Sequence, residues 1–248
     1  MPPSKRARLT ALLTVVRCRF PDVDEPARLI SEGVVLVNGT PSTNPRTRVR
    51  ADAAVRIQYP RPLRGTVKLA HALQAFGVNP AGLVALDLGA AAGGFTQALL
   101  DAGAARVYAV DAGSGQLRGS LRVNPKVISL ERTNLAQLDR QLIREPAGLV
   151  TMDLSYLAVA DAIGQLDRRL LVPGAQLIAL IKPTFELHAA TLANQPQHVT
   201  AAAQAAAHTL AEHGWQVLGG QPSPILGSKG AVETFLHARS DGADGPRR

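Results

Sequence analysis

Aromatic residues make up only 4% of this 248-residue chain, and cysteine occurs once, as Cys18. One thiol excludes an internal disulfide and any multi-thiolate metal site. The six histidines are scattered, with no pair at ligand spacing, so no metal is expected. No apolar run reaches the roughly 18 residues of a membrane span, and the first residues lack the apolar core of a secretory signal. No basic amphipathic stretch with aromatic anchors is present, which argues against a membrane-lytic role. No G-x-x-x-x-G-K-[ST] occurs, so a P-loop is excluded. The expectation is a soluble cytoplasmic protein that binds no metal and no membrane. What the chain does have is 46% hydrophobic residues, enough to bury a sizeable core.

Positive charge is unevenly placed. Up to Gly65 there are 12 Lys and Arg against 5 Asp and Glu, a net +7. The remainder carries 15 against 14, a net +1, so nearly all of the overall +8 lies in the first quarter. Such asymmetry fits a nucleic-acid-facing module joined to a near-neutral body, or else an arginine-rich solvated surface.

Residues 8–16 have helical spacing in Leu9, Leu12, Leu13 and Val16. After an acidic, proline-marked break, 27–31 reads as a second short helix stopped by Gly33. Val34-Val35-Leu36-Val37 then runs into Asn38-Gly39, a strand entering a tight turn. The alternating Val55-Arg56-Ile57 closes the module. The signature from Leu29 to Gly39 resembles the S4 RNA-binding domain, which implies a small α+β module over residues 1–58. RNA contact is then expected from Arg17, Arg19, Arg28, Arg46, Arg48 and Arg50, with Arg64 beyond the linker. The acidic Asp22, Asp24 and Glu25 stand where S4 domains usually carry basic residues.

Two prolines within 59–62 mark a linker. Beyond it, apolar runs at 83–88, 106–111, 126–130, 149–153 and 176–181 alternate with helical stretches at 69–76, 96–102, 135–143 and 158–170. That rhythm predicts a doubly wound, mostly parallel α/β sheet. The helix 200–213 and strands at 216–219 and 231–237 complete a Rossmann-like layout over 63–239 whose last strand is antiparallel. The polar tail 240–248 is expected to fray.

Asp87-Leu88-Gly89-Ala90-Ala91-Ala92-Gly93-Gly94-Phe95 is the turn after the first strand of this sheet, where ligands bind at the strand ends. Gly89 permits the reversal, and Gly93 and Gly94 would let backbone approach a ligand closely. Asp111, 24 positions on, stands about where a carboxylate receives ribose hydroxyls. An acid just before the glycines disfavours a diphosphate but suits the ammonium group of S-adenosylmethionine.

Methylating a hydroxyl needs a base or a positive charge at the oxygen. Lys182 follows the strand run Leu177-Ile178-Ala179-Leu180-Ile181 and precedes Pro183, so it is expected at the ligand edge of the sheet. Asp153 ends another strand run in the same way, and can cap the following segment as well. Lys68, early in a helix, and Glu233, in a strand, are commonplace when taken singly.

Several motifs, in order, resemble the TlyA (hemolysin A-like) family of ribosomal RNA 2′-O-methyltransferases, which joins an S4 domain to an FtsJ/RrmJ-like domain. They are the loop beginning at Asp87, Asp111-x-Gly-x-Gly-Gln-Leu, Glu131-Arg-Thr-Asn134, Asp153-Leu-Ser-Tyr, Lys182-Pro-Thr-Phe-Glu, and Ser223-Pro-Ile-x-Gly-x-x-Gly-x-x-Glu233. The resemblance implies a Lys68–Asp153–Lys182–Glu233 tetrad that activates a 2′-hydroxyl, with S-adenosylmethionine held by Asp87, Gly89, Gly93, Gly94, Phe95, Asp111, Asn134 and Asp153. Its implied partner is ribosomal RNA or a ribosomal subunit. The family's Ser/Thr pair in the loop is here Ala91-Ala92, Leu63 replaces a serine before Arg64, and the segment 187–197 lacks the family's glycines. An S4-type RNA-binding protein with a weakened or inactive methyltransferase body is therefore the alternative.

Overall fold

The computed structural model describes residues 9–58, 62–187, 195–227 and 230–241. The expected linker, apart from Pro62, and the tail beyond Asp241 lie outside the described residues, as do positions 188–194 of the glycine-poor segment. The chain divides into two compact units, one ending at Arg61 and the other beginning at Pro62.

Among the described residues, the first unit starts with a strand where helical spacing predicted a helix. β1 (Leu9–Ala11) pairs antiparallel with β4 (Arg48–Arg50), and only then does α1 (Leu12–Arg19) begin. The N–H groups of Leu12 and Leu13 go to the carbonyls of Thr47 and Pro45, so a non-local partner overrides the local helical pattern. α2 (Pro26–Ser31) follows, then β2 (Val35–Val37), β3 (Thr40–Pro41) and β5 (Val55–Ile57), which form a sheet in the order β3-β2-β5. Asn38 and Gly39 take φ of 50° and 85°, the left-handed pair that a two-residue hairpin turn requires. Leu12, Val15, Val16, Ile30, Val35, Val49 and Val55 form the core.

The second unit is built on seven strands in the order β11-β12-β10-β9-β6-β7-β8. β6 (Val84–Leu88), β7 (Arg106–Asp111), β8 (Val127–Glu131), β9 (Ala147–Met152) and β10 (Leu171–Ile181) are parallel neighbours. β12 (Thr234–Ser240) runs antiparallel between β10 and β11 (Trp215–Pro222). This is the mostly parallel Rossmann-like sheet that the strand–helix rhythm implied, with its last strand reversed. Strand order switches at β6, which is flanked by β7 and β9, so the loop after β6 opens at the topological switch point.

Alternating residues feed the two faces. Leu86, Leu88, Val150, Met152, Leu177 and Ala179 pack on one side with α6 (Val159–Ile163) and α8 (Pro196–Glu212). Ala85, Val107, Leu149, Ile178 and Leu180 pack on the other with α3 (Arg64–Phe76) and α4 (Gly94–Asp101). α3 starts five residues earlier than its periodicity suggested, because Gly65 lets it close against α4: a Cβ on Gly94 would lie 2.8 Å from the Gly65 Cα. The remaining helices are the single turns α5 (Gly119–Arg122) and α7 (Pro183–Glu186).

Two expected helices shrink. Residues 135–143 hold only a 3-10 turn, Leu135–Gln137, capped reciprocally by Asn134 and Gln137. Asp139 then takes the N–H groups of Gln141 and Leu142 with its side chain, a local turn that competes with helix. Over 158–170, α6 stops at Ile163, and Arg168–Leu170 forms a separate 3-10 turn.

Candidate active site

The loop after β6 is held from beneath. Asp87 is fully buried, and its two carboxylate oxygens accept hydrogen bonds from Thr96 Oγ1 (2.6 Å) and Thr151 Oγ1 (3.0 Å). Burial pushes this carboxyl up to about 6, partly offset by the two hydroxyls. The carboxylate therefore braces the loop from beneath, with both oxygens bonded to hydroxyls. Protein also fills the space where the side chains of the loop glycines would be. A Cβ would meet the Asp153 carbonyl at 2.5 Å on Gly89, Leu121 at 2.2 Å on Gly93, and Gly65 on Gly94. Gly89 and Gly93 do take the left-handed φ values, 87° and 93°, expected of the turn.

Ala91 sits at φ 44°, a strained position for a residue with a side chain. Asp111 compensates: its Oδ2 accepts the Ala91 N–H at 2.8 Å and its Oδ1 accepts Gly113 N–H at 2.7 Å. Glu131 stands opposite Asp111 in the β7–β8 register and accepts the N–H groups of Gln116 and Leu117. Backbone N–H groups, that of Gly115 foremost, hold the Glu131 carboxyl below its ordinary range. Two carboxylates at adjacent strand ends thus shape both segments that border the strand edge.

Above the loop lies a cleft of about 360 Å³, lined by Arg64, Gly89, Ala90, Ala91, Ala92, Gly94, Phe95, Asp153, Ser155 and Lys182 among others. Asp87, Gly93, Asp111, Asn134, Lys68 and Glu233 lie outside that lining. A larger groove of about 520 Å³ between α8 and β11 is lined by no charged side chain and by none of the expected residues.

The four expected tetrad residues form two ion pairs. Lys182 Nζ lies 2.6 Å from Asp153 Oδ1 and donates to the Leu154 carbonyl at 2.7 Å. Lys68 pairs with Glu233, both buried. Register brings the pairs to one edge: β10 and β12 end with Ile181 opposite Thr234, so Lys182 and Glu233 are the next residues along the two strands. Glu233 accordingly precedes β12, where the sequence had placed it within a strand.

Arg64, expected to touch RNA, is exposed at the cleft and donates to the carbonyls of Leu226 and Gly227. Gly227 leans on Glu233 so closely that a Cβ there would lie 2.1 Å from its carboxylate oxygen. In the first unit, Arg19 donates to the carbonyls of Ala51 and Ala53, Arg28 pairs with Glu25 and Glu32, and Arg50 pairs with Asp52. Arg17, Arg46 and Arg48 are exposed. So is Arg56, which the sequence reading passed over although alternation with buried Val55 pointed it outward.

Comparison with known proteins agrees with this geometry. Residues 62–240 match the family described as FtsJ-like methyltransferase. A 16S/23S rRNA (cytidine-2′-O)-methyltransferase TlyA of Mycobacterium tuberculosis is 37% identical over 96% of this chain and 91% of its own length. A solved structure from Streptococcus thermophilus, described as a hemolysin, superposes with a TM-score of 0.68 at 25% identity, covering 96% of this chain and 90% of that one. The N-methyltransferase NodS of Bradyrhizobium japonicum shares the fold of the second unit, with a TM-score of 0.51 at 17% identity, over 71% of this chain and 97% of that one. Among the described residues no helix is long and apolar enough to cross a membrane. The strand order, the cleft at the switch point and these matches together show that the chain belongs to the FtsJ-like methyltransferases, in the branch that includes TlyA.

Proposed function

We propose that this methyltransferase modifies a ribose 2′-hydroxyl of ribosomal RNA, with Lys182 and Asp153 as the catalytic residues. The observation that carries this reading is the Lys182–Asp153 pair in the wall of the cleft, beside the β6 loop. The relatives' activity on ribosomal RNA supports the substrate.

The residues present fit S-adenosylmethionine, the methyl donor of this family. Positions 89–95 offer no basic side chain for a diphosphate, whereas the carboxylates of Asp111 and Asp153 suit ribose hydroxyls and a cationic centre. The strained Ala91, fixed by Asp111, keeps the loop in the shape that lines the cleft. The 89–92 backbone, Gly94, Phe95 and Asp111 would hold the donor. When bound, it supplies an electrophilic methyl group.

The chain's own residues do the rest. Lys182 places positive charge where a 2′-oxygen gains negative charge, and Asp153 and the Leu154 carbonyl fix that ammonium in one orientation. Lys68 and Glu233, buried and outside the cleft lining, position rather than touch. Arg64 supports them by holding the turn that abuts Glu233. The first unit serves as the S4-type RNA-binding module, gripping through Arg17, Arg46, Arg48 and Arg56, while Arg19, Arg28 and Arg50 are engaged internally.

Tritium-methyl transfer to ribosomal subunits tests the reading, run beside calorimetry with S-adenosylmethionine on wild type and Lys182→Ala. Both proteins should bind the donor, and only wild type should transfer an alkali-resistant label. Donor binding without transfer by wild type would favour the RNA-binding alternative, for which the Ala91-Ala92 pair is the sequence argument.

A further inference from the structure

The connection from Asp153 to Val159 joins β9 to α6 and carries two groups at the cleft, Asp153 and Ser155, together with the half-exposed Tyr156. α6 is five residues long, and its N-cap, Ala158, has no side chain to satisfy the first N–H groups. Glu186 supplies that cap from 27 residues away. Its Oε1 accepts the Val159 N–H at 2.7 Å, and its Oε2 lies 3.5 Å from the Ala160 nitrogen.

At the other end of the same connection, Lys182 donates to the Leu154 carbonyl and pairs with Asp153. Lys182 caps α7 at its N-terminus and Glu186 is its last residue, four positions on. The bonds from Glu186 N to the Lys182 carbonyl and from Leu187 N to the Pro183 carbonyl fix their separation. One helical turn thus grips the connection at both ends, while Leu154 and Ala158 anchor it in the core. Releasing the Val159 end would free the segment to shift relative to Lys182, and the Lys182–Asp153 geometry would loosen with it.

We infer that Glu186 is a positioning residue for methyl transfer, acting through the α6 cap to hold the Asp153–Val159 connection in register with Lys182. The inference rests on the proposed reading of the cleft only for its catalytic consequence. Its structural half is tested separately, by hydrogen exchange at the Val159 amide.

Two variants separate positioning from bulk stability. Glu186→Gln keeps a carbonyl oxygen that can accept the Val159 N–H, whereas Glu186→Ala removes every acceptor. Glu186→Ala should exchange the Val159 amide about tenfold faster than wild type, with Glu186→Gln within about threefold. In methyl transfer to ribosomal subunits, Glu186→Ala should lower kcat about tenfold with KM for the subunit little changed, and Glu186→Gln should restore most of it. Unchanged Val159 exchange in the alanine variant would overturn the inference, as would a glutamine variant as slow in transfer as alanine. If wild type itself transfers no methyl group, the proposed function fails, and the exchange result still decides the α6 cap.

Discussion

The two lysine–carboxylate pairs share their chemistry and differ in their surroundings. Lys182 and Asp153 retain side-chain exposures of 16% and 24% and line the cleft, whereas Lys68 and Glu233 retain 8% and 4% and do not. A pair that still meets solvent can exchange partners when a substrate arrives. A desolvated pair is costly to break, because the partner left behind is a buried charge without compensation. The four charged residues therefore divide into a half exposed to the cleft and a buried half, and each half should fail in its own way.

The largest effect is expected from the exposed half. Lys182→Ala should reduce kcat for methyl transfer by about three orders of magnitude, while its melting temperature stays within a few degrees of wild type. In the buried half, Lys68→Met or Glu233→Gln alone should destabilise by about 3–5 kcal/mol in denaturant unfolding. The double variant Lys68→Met with Glu233→Leu should recover much of that stability without recovering the activity. If the double variant were fully active, the buried pair would have no part in catalysis and the contrast would fall.

Asp87 supplies a smaller effect and a third kind of buried charge, one braced by hydroxyls instead of a lysine. Its folded carboxyl titrates near 6 against an ordinary 3.8, so the folded state binds the proton more tightly than the unfolded chain. Ionisation then opposes folding. The penalty is absent below about pH 4, grows through the interval to pH 6, and reaches roughly 3 kcal/mol above it. Asp87→Asn removes that penalty, so it should melt above wild type at pH 7.5, with the gap narrowing as pH falls to 5. A gap that is constant with pH would show that Asp87 is not ionising under the loop.

Much of this arrangement was readable from residues alone because it depends on where strands end. Asp87, Asp111, Asp153 and Lys182 all stand at or next to the carboxyl ends of parallel strands, and the apolar runs marked those ends to within a residue or two. Lys68 and Glu233 needed the family resemblance, since nothing local distinguishes a lysine early in a helix or an acid ahead of a strand. The remaining features depend on non-local backbone groups that no periodicity encodes. Arg64 is held by carbonyls at 226 and 227, Glu186 by an amide at 159, and Leu9–Ala11 by a strand some forty residues on. The loop glycines were legible as a turn, but the atoms that crowd each missing side chain were not, because that crowding is a property of packing.

The contrast between free and committed charge extends to the first unit, where water screens it and the expected effect is smallest. Arg28 and Arg50 are tied to neighbouring acids, and those acids raise both guanidinium groups above their ordinary range. Exposed pairs of this kind contribute little to stability, yet each cancels a positive charge that RNA would otherwise feel. Arg46 and Arg48 stand exposed on and just before β4. Replacing both with alanine should reduce the slope of log affinity for ribosomal RNA against log salt by about 1–2, whereas Arg28→Ala should leave it nearly unchanged. Filter binding of the full chain across a salt series measures both slopes. Equal losses from the two substitutions would mean that intramolecular pairing does not decide which arginines meet the phosphate backbone.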